Sequence, residues 1–249
     1  MTTTMMPTEL YEWGSPTKEY TTNRWYYVAL TLGALLFGAF LLIALLSVFE
    51  GNDDWGAVGV TGAFVLLFII AILRIQQRVA VFDKGFVYHK GKHNQIVTWD
   101  DIETVKQYSV SVRIILFISI KSQGITIWTK DGRKIKLLDQ IGKVGELITT
   151  IQKEVTARQL PVAMESFLRG EDVVFDKNVK VNKQGITWRK KTLAWDEYEE
   201  LRLLGGSMTI RKKGKRWGGF ASTPVGNMPN IFVFIGLVEQ IAKEQLWMR

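Results

Sequence analysis

The sequence predicts an α+β protein: a two-helix transmembrane hairpin followed by two antiparallel β domains, each closed by a C-terminal helix. Three observations carry this. Two long uncharged runs stand close together near the start, at Trp25 to Phe49 and Ala57 to Leu73. Beyond them the apolar pattern alternates with the period of a strand, then twice reverts to the period of a helix. The order of these signals in the first half also recurs in the second.

Residues 1–24 are polar, Thr-rich and interrupted by Pro7, Gly14 and Pro16, so a disordered lead-in is expected. It lacks the short basic start and small-residue cleavage site of a secretory signal. The hairpin occupies residues 25–74. A helix over Trp25 to Phe49 reaches about 37 Å, enough for a hydrocarbon core of roughly 30 Å. The second run is shorter and spans with Trp55 at one end and Arg74 snorkelling at the other. The connection, Glu50 to Gly56, is acidic and contains no Lys or Arg. Lys18 and Arg24 precede the first helix, and Arg74, Arg78 and Lys84 follow the second. The excess of positive flanks sets the expected topology: an integral protein of the inner (cytoplasmic) membrane with both termini cytoplasmic. Small residues four apart, Ala29 and Gly33, Ala34 and Gly38, Gly59 and Ala63, suit close packing within the hairpin. No ionisable side chain lies inside either span, which favours an anchor over a transport pathway.

Segments Val79–Lys84, Phe86–His89 and Ile96–Trp99 read as strands, followed by Ile114–Ile120, Ile125–Lys130 and Lys134–Leu138 with a turn at Asp131-Gly132. Ile141, Val144, Leu147, Ile148, Ile151 and Val155 then share one helical face, and Pro161 is expected beyond the helix end. This defines a first domain at 78–158, a linker at 159–177 with a short helix over 162–168, and a second domain at 178–249. Val179 to Ile186 repeats Val79 to Phe86 in its Val, Val and Gly positions, and Trp195-Asp196-Glu197-Tyr198 repeats Trp99-Asp100-Asp101-Ile102. Met208-Thr209-Ile210 follows Ile125-Thr126-Ile127, and Leu237 to Glu244 follows Leu147 to Glu154. Order is kept while loop lengths drift, as in a duplicated domain.

Strand, glycine turn, strand, Trp-acidic corner, further strands and one closing helix resemble the tandem pleckstrin-homology-like domains of uncharacterised bacterial membrane proteins. The second copy is similar to one such family of unknown function through Gly170, Val174-Phe175, Gly185-Ile186, Leu193-Ala194-Trp195 and Pro229-Asn230, with Asp176 where that family carries Gly. The resemblance implies fold and membrane association. It implies no reaction.

The candidate chemistry is correspondingly thin. Asp100 with Asp101 and Asp196 with Glu197 are adjacent carboxylates, but their recurrence beside a Trp points to a structural corner. His89 and His93 sit in hairpin context, where a four-residue spacing does not converge on a metal. Without cysteine there is no disulfide and no thiolate site. No catalytic, metal or cofactor site is therefore expected, and an enzyme is not the favoured reading. The net charge of +8 understates the asymmetry, because residues 74–249 carry 30 basic and 18 acidic side chains. Such a domain held beside a membrane should face anionic lipid rather than nucleic acid. The candidate lipid contacts are Arg211, Lys212, Lys213, Lys215 and Arg216 with Trp217, then Arg189, Lys190 and Lys191, and Lys90 with Lys92. The expected role is a non-catalytic binding or scaffold protein for membrane lipid, an unidentified membrane or cytoplasmic protein, or a second copy of itself. An accessory subunit of a transport or channel complex is the alternative.

Overall fold

The computed structural model describes residues 13–91, 93–115, 118–215 and 219–247. It is α+β and divides into two compact units, residues 1–96 with 139–144, and residues 97–138 with 145–249.

In the first unit, strand β1 (Lys18–Thr21) leads into helix α1 (Arg24–Phe49), and helix α2 (Trp55–Arg74) leads into β2 (Gln77–Phe82). β1 and β2 pair antiparallel, Lys18 opposite Val81 and Thr21 opposite Arg78. β3 (Gly85–Lys90) and β4 (His93–Thr98) complete a sheet ordered β1-β2-β3-β4. The lead-in is thus ordered from Trp13 onward, correcting the disordered assignment to residue 24. Tyr20 is buried, Arg78 holds Glu19 at 2.6 Å, and Trp13 packs edge-on to Phe82. Residues 1–12 lie outside the described residues.

The two helices form where the uncharged runs end at polar caps. Asn23 starts α1, its Oδ1 accepting from the Trp25 N–H at 3.1 Å, as a helix N-cap requires. At the far end Ser47 donates to Asp54, and the Asn52 amide reaches Ser47 at 3.1 Å. Phe37 stacks on Phe64 at 4.6 Å and meets Phe68 at 5.7 Å. Gly33 makes room for Phe68, since a Cβ there would lie 2.5 Å from the ring. Ala44 alone is buried in α1, and nothing is buried in α2. Many of the other apolar side chains, among them Leu32, Phe49 and Leu73, are exposed. Two apolar helices near the N-terminus are therefore long enough to span a membrane and are apolar on all sides.

The second unit begins with the Trp99 corner. β5 (Ile102–Ile115), β6 (Ile118–Thr129) and β7 (Lys134–Leu138) form one three-stranded sheet. The expected strand Ile114–Ile120 is instead divided between β5 and β6, with Ile115 opposite Ile118. An apolar run without turn residues reads locally as one strand, whereas the pairing register folds it into a hairpin.

Helix α3 (Val144–Leu168) follows, and it continues through Pro161. The linker at 159–177 is thus mostly helix. Proline forfeits a backbone hydrogen bond and crowds the preceding turn; burial of Ala163 and Phe167 beyond it offsets that cost. Then come β8 (Val173–Asp176), β9 (Val179–Asn182), β10 (Gly185–Trp188) and β11 (Lys191–Ala194), paired in that order. β12 (Tyr198–Leu204), β13 (Ser207–Lys212) and β14 (Ala221–Pro224) form the last sheet, and α4 (Ile231–Trp247) ends the described chain. Val181, Ile186, Leu193, Met208, Ile210, Phe234 and Leu237 from both sheets and α4 share one core with Phe167 of α3. Four strands, three strands and a helix thus occur twice in the same order.

Candidate functional site

The basic segment at Arg211 is partly strand rather than turn. Arg211 and Lys212 end β13. The Arg211 guanidinium lies 3.4 Å from Glu199 and 3.5 Å from Glu200, and Lys212 meets Glu197 at 2.5 Å. Lys213 donates to the Asp196 carbonyl at 2.9 Å, and Lys215 to the Gly219 carbonyl at 3.4 Å. The first two cations are thus answered by carboxylates of β12 and its corner. Arg189 and Lys190 form an exposed turn, with Arg189 in the left-handed region at φ 57° and its N–H on the Asn178 carbonyl. Lys191 opens β11 and Lys90 closes β3, both exposed. Lys92, Arg216 and Trp217 lie outside the described residues.

The acidic corners have the same backbone geometry in both halves. Asp101 N–H donates to the Thr98 carbonyl at 3.3 Å and Ile102 N–H to Trp99 at 3.4 Å. Glu197 N–H donates to Ala194 at 3.1 Å and Tyr198 N–H to Trp195 at 3.3 Å. Trp99 is buried. Trp195 packs against Phe167 and Tyr198 while its indole donates to the Asn182 carbonyl at 2.9 Å. Burial, with help from Glu239 and Glu200, pushes the Tyr198 hydroxyl up to about 12. Asp100 points outward, 3.5 Å from Arg158. His89 Nδ1 lies 2.6 Å from Asn94 Oδ1. Among the described residues no three His, Asp or Glu side chains converge on a metal-sized site.

A cleft of about 620 Å³ opens in the second unit between the Trp99 corner, α3, β8 and the start of α4. Several of its charged groups are engaged: Arg158 binds Glu154 at 2.6 Å, and Asp172 accepts from Lys180 and Asn182, each at 2.7 Å. Those two bonds hold the Asp172 carboxyl below its ordinary range. Val162 and Val174 supply exposed apolar rim. At the cleft floor Asn230, in the left-handed region at φ 47°, covers the open edge of β5. Its Oδ1 accepts from Val105 N–H at 2.7 Å, its N–H donates to Val105 at 2.9 Å, and its Nδ2 donates to Glu103 at 2.9 Å. Gln159 of α3 adds a bond to Ile102 at 2.9 Å. The start of this otherwise unpaired strand edge is thereby covered by two side chains and one backbone amide. This gives Pro229-Asn230, singled out in sequence for its position, a structural task.

The family of unknown function DUF6585 matches residues 1–246. The chain belongs to that family. No curated protein and no solved structure matches it.

One surface of this DUF6585 chain escaped the sequence reading. On the outward face of β5-β6-β7, Lys106, Thr126 and Lys136 lie in one cross-strand row and Thr104, Trp128 and Lys134 in the next. The Lys134 ammonium stands 5.1 Å from the Trp128 ring centroid and that of Lys106 5.9 Å, within cation–π range. Lys134 and Lys136 belong to the basic stretch from Lys130 to Lys136, but Lys106 lies far from it in sequence, so no single run marks all three. The available signal was alternation, because Thr126, Trp128, Lys134 and Lys136 all fall out of phase with buried Ile125, Ile127, Ile135 and Leu137.

Proposed function

We propose that the protein is a non-catalytic, membrane-anchored binding or scaffold protein that carries two pleckstrin-homology-like domains on the cytoplasmic face of the inner membrane. One observation carries the reading: β1 and β2 are neighbours in a sheet, and each is separated from its apolar helix by only two residues, Thr22-Asn23 and Ile75-Gln76. Thr22 Oγ1 lies 3.0 Å from the Ile75 carbonyl and 2.8 Å from the Gln77 N–H, binding the two exits together. Asn23 N–H donates to Gln140 at 2.7 Å, and Gly142 N–H to Thr21 at 2.7 Å. A sheet joined this closely to a bilayer-spanning hairpin is held at the headgroup layer, where a basic surface meets anionic lipid. The recurring order of four strands, three strands and a helix supports the pleckstrin-homology-like assignment.

Reporter fusions test the placement. Fusions at residue 249 and at the N-terminus should report from the cytoplasm, and a tag inserted at Asn52 should be reached by a membrane-impermeant reagent from outside. Protection of the Asn52 tag in intact cells, or release of the chain by an alkaline wash, would overturn the reading.

A further inference from the structure

We infer that the outward face of β5-β6-β7, centred on Trp128, is the surface that docks on anionic phospholipid headgroups. The inference rests on the membrane-anchored reading and goes beyond it by choosing among the basic surfaces of the chain. Matching the two halves through Ile125-Thr126-Ile127 and Met208-Thr209-Ile210 makes the choice.

In the second half the corresponding face presents Arg202 opposite Thr209 and Glu200 opposite Arg211. Arg202 lies 2.6 Å from Glu200, and Arg211 lies within 3.5 Å of both Glu199 and Glu200. Its cations are already answered by carboxylates. In the first half the position of Arg211 is taken by Trp128, that of Glu200 by Thr104, and that of Arg202 by Lys106. Among the described residues no ion pair links Lys106, Lys134 or Lys136 to a carboxylate. Lys106, Lys134 and Lys136 thus stand on one face of the sheet without a carboxylate partner among the described residues, the first two beside the half-exposed Trp128 indole.

Lysine provides a point charge suited to phosphate without fixed geometry, while an indole with an apolar body and one N–H donor suits the headgroup boundary. The two lysines beside the ring hold cations and indole at one level, so a planar anionic surface meets them together. The β13 cations lack this freedom: reaching a phosphate would require them to leave Glu197, Glu199 and Glu200. The occupant is therefore a bilayer surface rich in anionic lipid, contacted by the sheet face rather than by the Arg211 segment.

The test uses the full chain, which contains no cysteine, carrying Thr126→Cys labelled with a fluorophore. It is reconstituted into vesicles of phosphatidylcholine alone or with phosphatidylglycerol, each doped with a headgroup-attached quencher. The label at 126 should be quenched in the phosphatidylglycerol vesicles and far less in phosphatidylcholine. A matching label at Ser222→Cys, on the second-half face, should respond little to lipid charge. Combining Lys106→Gln, Lys134→Gln and Lys136→Gln should lower the docked-to-free ratio by up to about a hundredfold at low salt. Replacing the same three by Arg should retain docking, which separates lost charge from lost folding. Equal quenching at 126 in both lipids, an unaltered ratio in the Gln variant, or loss of quenching on adding a polyanion such as RNA to the Arg variant but not on adding sodium chloride of equal ionic strength would overturn the assignment. Failure of the unlabelled chain to float with phosphatidylcholine vesicles after an alkaline wash would instead defeat the anchored reading beneath it.

Discussion

The first two strands of the two halves are paired alike but connected very differently. β8 reaches β9 through Lys177-Asn178 alone, whereas β1 reaches β2 through residues 22–76, which contain both apolar helices. A hairpin of helices is therefore set into a β-hairpin. Loop closure penalises length only slowly, and here the inserted helices return the chain to its starting point by packing Phe37 against Phe64 and Phe68. The strand pair survives because the insertion closes itself. It follows that the apolar helix pair belongs to the first half as an insertion, and does not precede it as a separate segment.

The comparison breaks first at the insertion. Replacing residues 22–76 with Lys-Asn, the connection used between β8 and β9, should move the protein from the membrane pellet to the soluble fraction with its β signature in circular dichroism preserved. Retention in the pellet after an alkaline wash would mean that another segment anchors the chain. The next largest effect is expected at a glycine in the second half. Gly185 has φ 149°, and a Cβ there would lie 2.0 Å from the Leu193 carbonyl oxygen, so Gly185→Ala should cost about 3 kcal/mol or more in denaturant unfolding. Gly145 of α3 would meet only the flexible Gln123 amide, at 3.1 Å. Gly145→Ala should therefore change stability by less than about 1 kcal/mol.

Asn230 sharpens the comparison at a smaller scale, because it joins a second-half residue to a first-half strand. Asn230→Ala removes the side-chain bonds to Val105 and Glu103 and places alanine in the left-handed region, and should cost about 2 kcal/mol. Asn230→Gly keeps the backbone conformation, so the difference between the two variants isolates the backbone cost. Equal stability of the Ala variant and the parent would remove Asn230 as a structural link.

The smallest effect separates the halves by pH. Tyr198 occupies the corner position that Ile102 holds in the first half. Its pKa is raised, chiefly by burial, to about 12. A raised folded pKa contributes stability that is complete below the unfolded value near 10 and is lost as pH rises towards 12. Unfolding curves should therefore weaken above about pH 10, and Tyr198→Phe should flatten that slope. An unchanged slope in the variant would assign the alkaline loss to other groups.

Several of these features were legible locally. Unbroken apolar runs announced α1 and α2 to within a residue or two, and the Asp131-Gly132 turn announced the β6–β7 connection. The Trp99 and Trp195 corners were readable because the same short motif occurs twice. β1 was missed because four residues, Lys18–Thr21, are too few to show alternation, and their partner lies beyond the inserted helices. The continuation of α3 past Pro161 was missed because proline is locally a helix breaker, while the burial that offsets it comes from Ala163 and Phe167 further along. The partners of the Arg211 segment were not legible for a related reason: it is a dense run of cations in sequence, but density says nothing of what stands opposite.

By itself, then, the sequence determined the membrane-length hairpin, the α+β class and the recurrence of elements, because hydrophobic periodicity and turn residues are properties of neighbours along the chain. Only the tertiary structure decided that the hairpin interrupts a strand pair, that α3 runs through Pro161, and that Lys212 meets Glu197 while Lys106 and Lys134 flank Trp128. These are consequences of register. Which carboxylate or indole lies beside a lysine depends on how distant strands are aligned, and a shift of one residue would carry every side chain to the opposite face.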